Sequence, residues 1–167
     1  AEPGELLTYK RTAPFDSERG AIIEAALQIS SYKPKARAGV FLVLDDGLKA
    51  YMLSFVDTDI GKFAGVTVRS GLSGFIEDVG TSGGAELLSF PVDWDQPHVY
   101  RMERRPLDGL YIFVDNNQEP SLVILDTARV DYPATQFATP TVAFGVLSGE
   151  GSTSQWDYVR TRVRSII

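Results

Sequence analysis

The chain carries no cysteine, only one histidine and no apolar run approaching the length of a membrane span. Without cysteine it can form no disulfide, no thiolate metal site and no cysteine nucleophile. A single histidine cannot build an imidazole cluster, so zinc and copper give way to oxygen-ligated ions, among which calcium is favoured. A transmembrane helix needs roughly 20 consecutive apolar residues, and no such run predicts a membrane span. Positive charge is also in short supply, with 16 Lys and Arg against 22 Asp and Glu and a net charge of −6. That balance works against nucleic acid as a partner, because the surface as a whole repels a polyanion.

What is present has ordinary globular composition. The 167 residues are 44% hydrophobic and 23% charged, which fits a single domain able to bury its own core. The opening Ala1-Glu2-Pro3-Gly4 reads either as a mature end left by signal cleavage or as a cut boundary. A secreted or cell-surface location is the expectation.

Period-2 alternation dominates the chain. Ile23, Ala25, Leu27 and Ile29 alternate with Glu24, Ala26, Gln28 and Ser30, the pattern of a half-buried strand. Residues 40–44 form an apolar run that ends in Asp45-Asp46-Gly47, and alternation resumes over 48–56, which predicts a β-hairpin. A second hairpin is predicted from 98–104, a turn at Pro106-Leu107-Asp108-Gly109, and 110–114. Further strands are predicted at 6–10, 63–69, 86–90, 122–125, 141–147 and 156–163. Helix-forming residues over 17–28 compete with this reading, but Gly20 and the alternation favour strand. Residues 71–84 hold five glycines and read as a loop in which Phe75 and Ile76 pair briefly. Many short strands with turns between them predict a sandwich or barrel.

Three segments carry a family resemblance. Gly20-Ala21-Ile22-Ile23-Glu24-Ala25-Ala26-Leu27-Gln28-Ile29 resembles the early core strand of the concanavalin A-like lectins and glucanases. His98-Val99-Tyr100-Arg101 through Tyr111-Ile112-Phe113-Val114-Asp115 resembles their central hairpin, and Trp156-Asp157-Tyr158-Val159-Arg160 their closing strand. The resemblance implies an all-β, two-sheet antiparallel jelly-roll β-sandwich. It also implies carbohydrate held on a concave sheet, and a structural calcium bound through Asp157 with acidic and backbone oxygens near Glu18 and Gly20. Beside that stands a simpler reading, in which Asp157 caps a turn or pairs with Arg160 or Arg162.

Sugar recognition calls for aromatic rings that stack on pyranose faces and planar polar groups that bond to hydroxyls. Tyr51, Arg69, Trp94, Tyr100, Arg101 and Tyr111 are the candidate ligand contacts, each also readable as a packing residue. His98, at the start of an alternating strand, reads as a packing or backbone-bonding residue. Glucanases of the resembled family place two glutamates and an aspartate at alternating positions on one strand, and no Glu-x-Asp-x-x-Glu run occurs here. Three functions follow. The first is a non-catalytic carbohydrate-binding or cell-surface module. The second is a structural or assembly domain that makes protein contacts or self-associates, the alternating Arg160, Arg162 and Arg164 marking a subunit contact. The third is an atypical glycoside hydrolase using Glu24, Glu77 and Glu103.

Overall fold

The computed structural model describes residues 6–12, 20–31, 37–46, 50–69, 88–126, 141–147 and 152–163. They form eleven strands in two antiparallel sheets. The first sheet runs β1 (Leu6–Thr12), β10 (Thr141–Leu147), β3 (Arg37–Asp45), β4 (Ala50–Thr58), β5 (Gly61–Arg69) and β6 (Leu88–Pro91). The second runs β11 (Ser152–Val163), β2 (Ala21–Ser31), β7 (His98–Arg105), β8 (Gly109–Val114) and β9 (Leu122–Leu125). No helix occurs among the described residues. The competing helix over 17–28 gives way to strand β2, because a helix would scatter Ile23, Ala25, Leu27 and Ile29 around its axis.

Alternation decides which side chains meet. From the second sheet Ile23, Ala25, Leu27, Ile29, Tyr100, Met102, Leu110 and Ile112 point inward; from the first come Leu42, Leu44, Tyr51, Leu53, Phe55, Ala64 and Val66. All are buried in one core. Trp94, in the connection from β6 to β7, closes one end. It is fully buried, its indole donates to the Val56 carbonyl at 3.2 Å, and its own carbonyl accepts from the Ile29 amide at 3.1 Å.

The other end is tied by a buried charge. Arg104 points inward from β7; its Nε donates to Asp46 at 3.2 Å, Nη2 to Asp126 at 3.0 Å and Nη1 to the Arg105 carbonyl at 2.8 Å. Burial works against its charge, but the Tyr51 hydroxyl, Asp126 and Asp46 raise its pKa above the ordinary guanidinium value. Asp46 follows β3 in the opposite sheet, so the pair links the two layers.

Two glycines permit close approaches. A Cβ on Gly109 would collide with the Ile124 carbonyl of β9. Gly20 has φ of +70°, and a Cβ there would press on the Arg104 carbonyl.

The outer face of the six-stranded sheet is apolar at its centre. Phe41, Val43, Ala50, Met52 and Ala143 form a second buried cluster there. Asp45 is the one carboxylate that register places on this face among the described residues.

Candidate ligand-binding face

The outer face of the five-stranded sheet has a different character. Register sets its rows: Gln155 beside Gln28; Tyr158, Ala26 and Val99; Arg160, Glu24, Arg101 and Phe113; Arg162, Ile22, Glu103, Tyr111 and Val123. At the first two rows the surface sinks into an open pocket of about 320 Å3. Ala26, Leu27, Val99 and Pro97 supply its apolar part, and Gln28, Gln155, Asp157, His98 and Asp115 its polar part.

Local chemistry shapes each wall. β11 carries one extra residue between Trp156 and Tyr158, whose partners on β2 are the consecutive Leu27 and Ala26. Asp157 is that residue, a bulge that leaves its carboxylate exposed at the pocket edge. The Gln28 amide is oriented by donation to the Asp95 carbonyl at 2.7 Å. Asp95 is fixed in turn by Lys62 at 2.9 Å, and that hydrogen bond lowers its pKa.

His98 uses both ring nitrogens inside the protein. Nε2 donates to the Asp93 carbonyl at 3.0 Å, and Nδ1 lies 2.6 Å from Asp115 Oδ2. The other Asp115 oxygen accepts from the Val99 amide at 3.0 Å. Asp115 and Asn116 have φ of 55° and 57°, a left-handed step that Asp and Asn tolerate better than most residues. This linkage ties the rim of the pocket together through His98.

Three of the six candidate contacts turn out to be interior. Tyr51 is 2% exposed, and Trp94 and Tyr100 are fully buried, so none can stack on a solvent-borne sugar. For Tyr51 and Tyr100 the reason is register, since a strand shows only alternate residues to each face; Trp94 is buried from the connection between β6 and β7. Burial also pushes the phenols of Tyr51 and Tyr100 well above their ordinary pKa. Arg69 pairs with Ala50 on the outer face of the six-stranded sheet, remote from the pocket; its side chain lies outside the described residues.

Arg101, Tyr111 and Asp157 share the outer face of the five-stranded sheet. Tyr111 donates to Asp108 at 2.8 Å, and the Arg105 guanidinium lies over its ring at 3.8 Å. One face of that ring is therefore already covered. Gln28 and Gln155 escaped the sequence reading, although their spacing within alternating strands was the available signal.

Of the carboxylates considered for hydrolysis, Glu24 and Glu103 lie one two-residue step apart on neighbouring strands of this face, each held in an ion pair. Glu24 accepts from the Tyr158 hydroxyl at 2.8 Å and pairs with Arg160 at 2.6 Å. Glu103 accepts from Arg105 at 3.2 Å. Both are buried. Glu77 lies outside the described residues.

Calcium needs six to eight oxygen ligands. No group of three acidic or imidazole side chains able to hold a metal occurs among the described residues. Asp115, the acidic neighbour of Asp157 in the pocket, is already bonded to His98 and Val99. Glu18, the partner implied by the family resemblance, lies outside the described residues.

Two antiparallel sheets, closed across one core with this strand order, overlay known structures over nearly the whole chain. A glycosyl hydrolase family protein from Mycobacterium fortuitum aligns with TM-score 0.58 at 18% identity, covering 93% of this chain and 68% of its own. A legume lectin-like domain from Entamoeba histolytica aligns at 0.52 and 14%, covering 96% and 80%. A non-specific endo-β-1,3(4)-glucanase of glycoside hydrolase family 16 aligns at 0.55 and 14%, covering 92% and 61%. The fold is the concanavalin A-like jelly roll. Identities this low establish the architecture alone, and the concanavalin A-like sandwich serves lectin-like domains and hydrolases alike. The chain spans between about three fifths and four fifths of these three structures. No family model matches the sequence, and no curated protein sequence is detectably similar.

Proposed function

We propose that this concanavalin A-like sandwich is a non-catalytic saccharide-binding module, secreted or displayed at a cell surface, whose contact surface is the outer face of the five-stranded sheet. The observation that carries this reading is the open pocket in which Gln28, Gln155 and Asp157 stand over an apolar floor. Amides and carboxylates at an apolar surface suit a ligand whose hydroxyls need in-plane partners while its C–H faces need cover. The six-stranded sheet presents a buried apolar cluster at the centre of its outer face instead, and Glu24 and Glu103 are held in ion pairs. Both features favour binding over hydrolysis. The lectin-like and hydrolase structures that share the fold are consistent with a saccharide ligand.

A panel of oligosaccharides and polysaccharides, titrated by calorimetry and affinity electrophoresis, tests the proposal. Saturable binding that falls at least tenfold in Gln155→Ala and Asp157→Ala supports it. Binding by neither method across the panel, or binding indifferent to both substitutions, overturns the site. A chelator arm tests calcium separately, because loss of binding under chelation with recovery on added calcium would make the ion part of the module.

One observation favours assembly as a second reading. β9 ends the described order of its sheet and exposes Val123 and Leu125 at 37% and 47%, an edge that invites pairing with another chain. Light scattering across a concentration series checks it. A strict monomer at high concentration would sink the assembly reading.

A further inference from the structure

Past the pocket, the same face changes chemistry. One two-residue step beyond Ala26 and Val99, roughly 7 Å along the strands, lie Glu24, Arg101 and Phe113. A further step brings Glu103 and Tyr111. The Tyr111 and Phe113 rings are 6.5 Å apart and within 16° of parallel. Two guanidiniums rest on them: Arg101 with Cζ 4.2 Å from the centre of Phe113, and Arg105 with Cζ 3.8 Å from Tyr111 and 5.8 Å from Phe113. Stacking occupies the flat face of a guanidinium and leaves its N–H edge for acceptors in the plane.

The hydrogen bonding is uneven. Arg104, Arg105 and Arg160 each engage a carboxylate at 3.2 Å or less. Arg101 stands off, with Nε 3.9 Å from Glu103. That Nε is occluded and has no hydrogen-bond partner among the described residues, while 29% of the side chain remains open. With Nε covered, the Nη edge is what a ligand can reach. Arg101, Arg105, Arg160 and Arg162 share this face with Glu24, Glu103 and Asp157, so four cations meet three carboxylates on a protein of net charge −6.

We propose that Arg101 and Arg105 form an anion subsite that takes the carboxylate or sulfate of an acidic saccharide whose neutral units lie in the neighbouring pocket. This rests on the saccharide-binding reading above. The carboxylate or sulfate oxygens meet two guanidinium edges already immobilised by stacking, so little side-chain entropy is lost when the bonds form. The bonds are charge-assisted and partly exposed, so they weaken as salt rises.

The test compares polygalacturonate, chondroitin sulfate and neutral laminarin on the wild-type chain, on Arg101→Gln/Arg105→Gln and on Gln155→Ala. In parallel, inorganic sulfate is titrated while the arginine Nη–H resonances are followed by NMR. The expected result is acidic-glycan binding that falls roughly tenfold or more in the double variant and declines with salt. Sulfate should also shift the Arg101 and Arg105 resonances in the wild type. Polyuronate and sulfated glycan distinguish the two sources of the anion, and preference for either supports the subsite. Laminarin bound as tightly as the acidic glycans, with no loss in the double variant, overturns the subsite and leaves the pocket standing. No glycan binding together with unmoved resonances overturns both. Resonances that shift with sulfate while no glycan binds overturn the assignment to a saccharide. Unchanged amide spectra in the Gln variant confirm that it folds.

Discussion

At the scale of single residues, the core holds one polar atom that invites a test. The Tyr100 hydroxyl is buried without a hydrogen-bond partner among the described residues, while its ring packs edge-on against Phe55 at 5.0 Å. Removing an unsatisfied hydroxyl and keeping the ring should not cost stability. Tyr100→Phe is therefore expected to be neutral or to stabilise by about 1 kcal/mol, measured by urea unfolding, and a clear loss would show that the hydroxyl has a partner such as a bound water. Asp95 offers a test in pH. Its pKa lies below the ordinary 3.8, first because of the Lys62 hydrogen bond and then that of Asp93. A depressed folded-state pKa stabilises at pH values above the ordinary one, and the contribution fades as pH falls through the folded value. Lys62→Met should move the Asp95 midpoint, followed by carboxyl NMR, upward toward 3.8. An unmoved midpoint would remove Lys62 as the cause.

At the scale of elements, two strands depend on single positions. Gly109 opens β8 where a Cβ would meet the Ile124 carbonyl. Gly109→Ala must part β8 from β9 or bend one of them, and a loss of about 1–3 kcal/mol is expected. Amide exchange should localise it to these two strands. On β11 the bulge residue Asp157 sits between partners already in step, Trp156 with Leu27 and Tyr158 with Ala26. Deleting Asp157 leaves a regular strand with every other pairing intact, so the variant should fold with little change in Tm yet lose affinity at the pocket. Loss of folding instead would show that the bulge sets the twist of the sheet.

At the scale of the whole molecule, the sheets are joined by apolar packing and by the buried guanidinium of Arg104. Removing one member of a buried ion pair leaves its partners uncompensated, so Arg104→Ala should cost roughly 3–5 kcal/mol. Arg104→Met paired with Asp46→Asn should recover part of that loss. Thermal and urea unfolding of the wild type, Arg104→Met, Asp46→Asn and the double variant form a cycle that measures the coupling, and additive losses would show that the tie is weak.

Alternation, apolar runs and turn signals were enough to find the strands and narrow the architecture to a sandwich or barrel, and the family resemblance implied the two-sheet jelly roll. A period of two assigns half of each strand to one face, and the turns at Asp45-Asp46 and Pro106-Leu107-Asp108 set where the chain reverses. That local information left open which face of each strand looked inward, since one residue of register exchanges the two. Tyr51, Trp94 and Tyr100 are the residues on which this mattered, because an aromatic ring reads alike whether it packs or binds. Cross-strand pairing decided that Tyr51 and Tyr100 are core while Arg101 and Tyr111 share the outer face, and the β6–β7 connection buries Trp94. It also brought Gln28, Gln155 and Asp157 together from segments more than 120 positions apart. A binding surface is a property of neighbours in space, and only the packed sheets determine which residues those are.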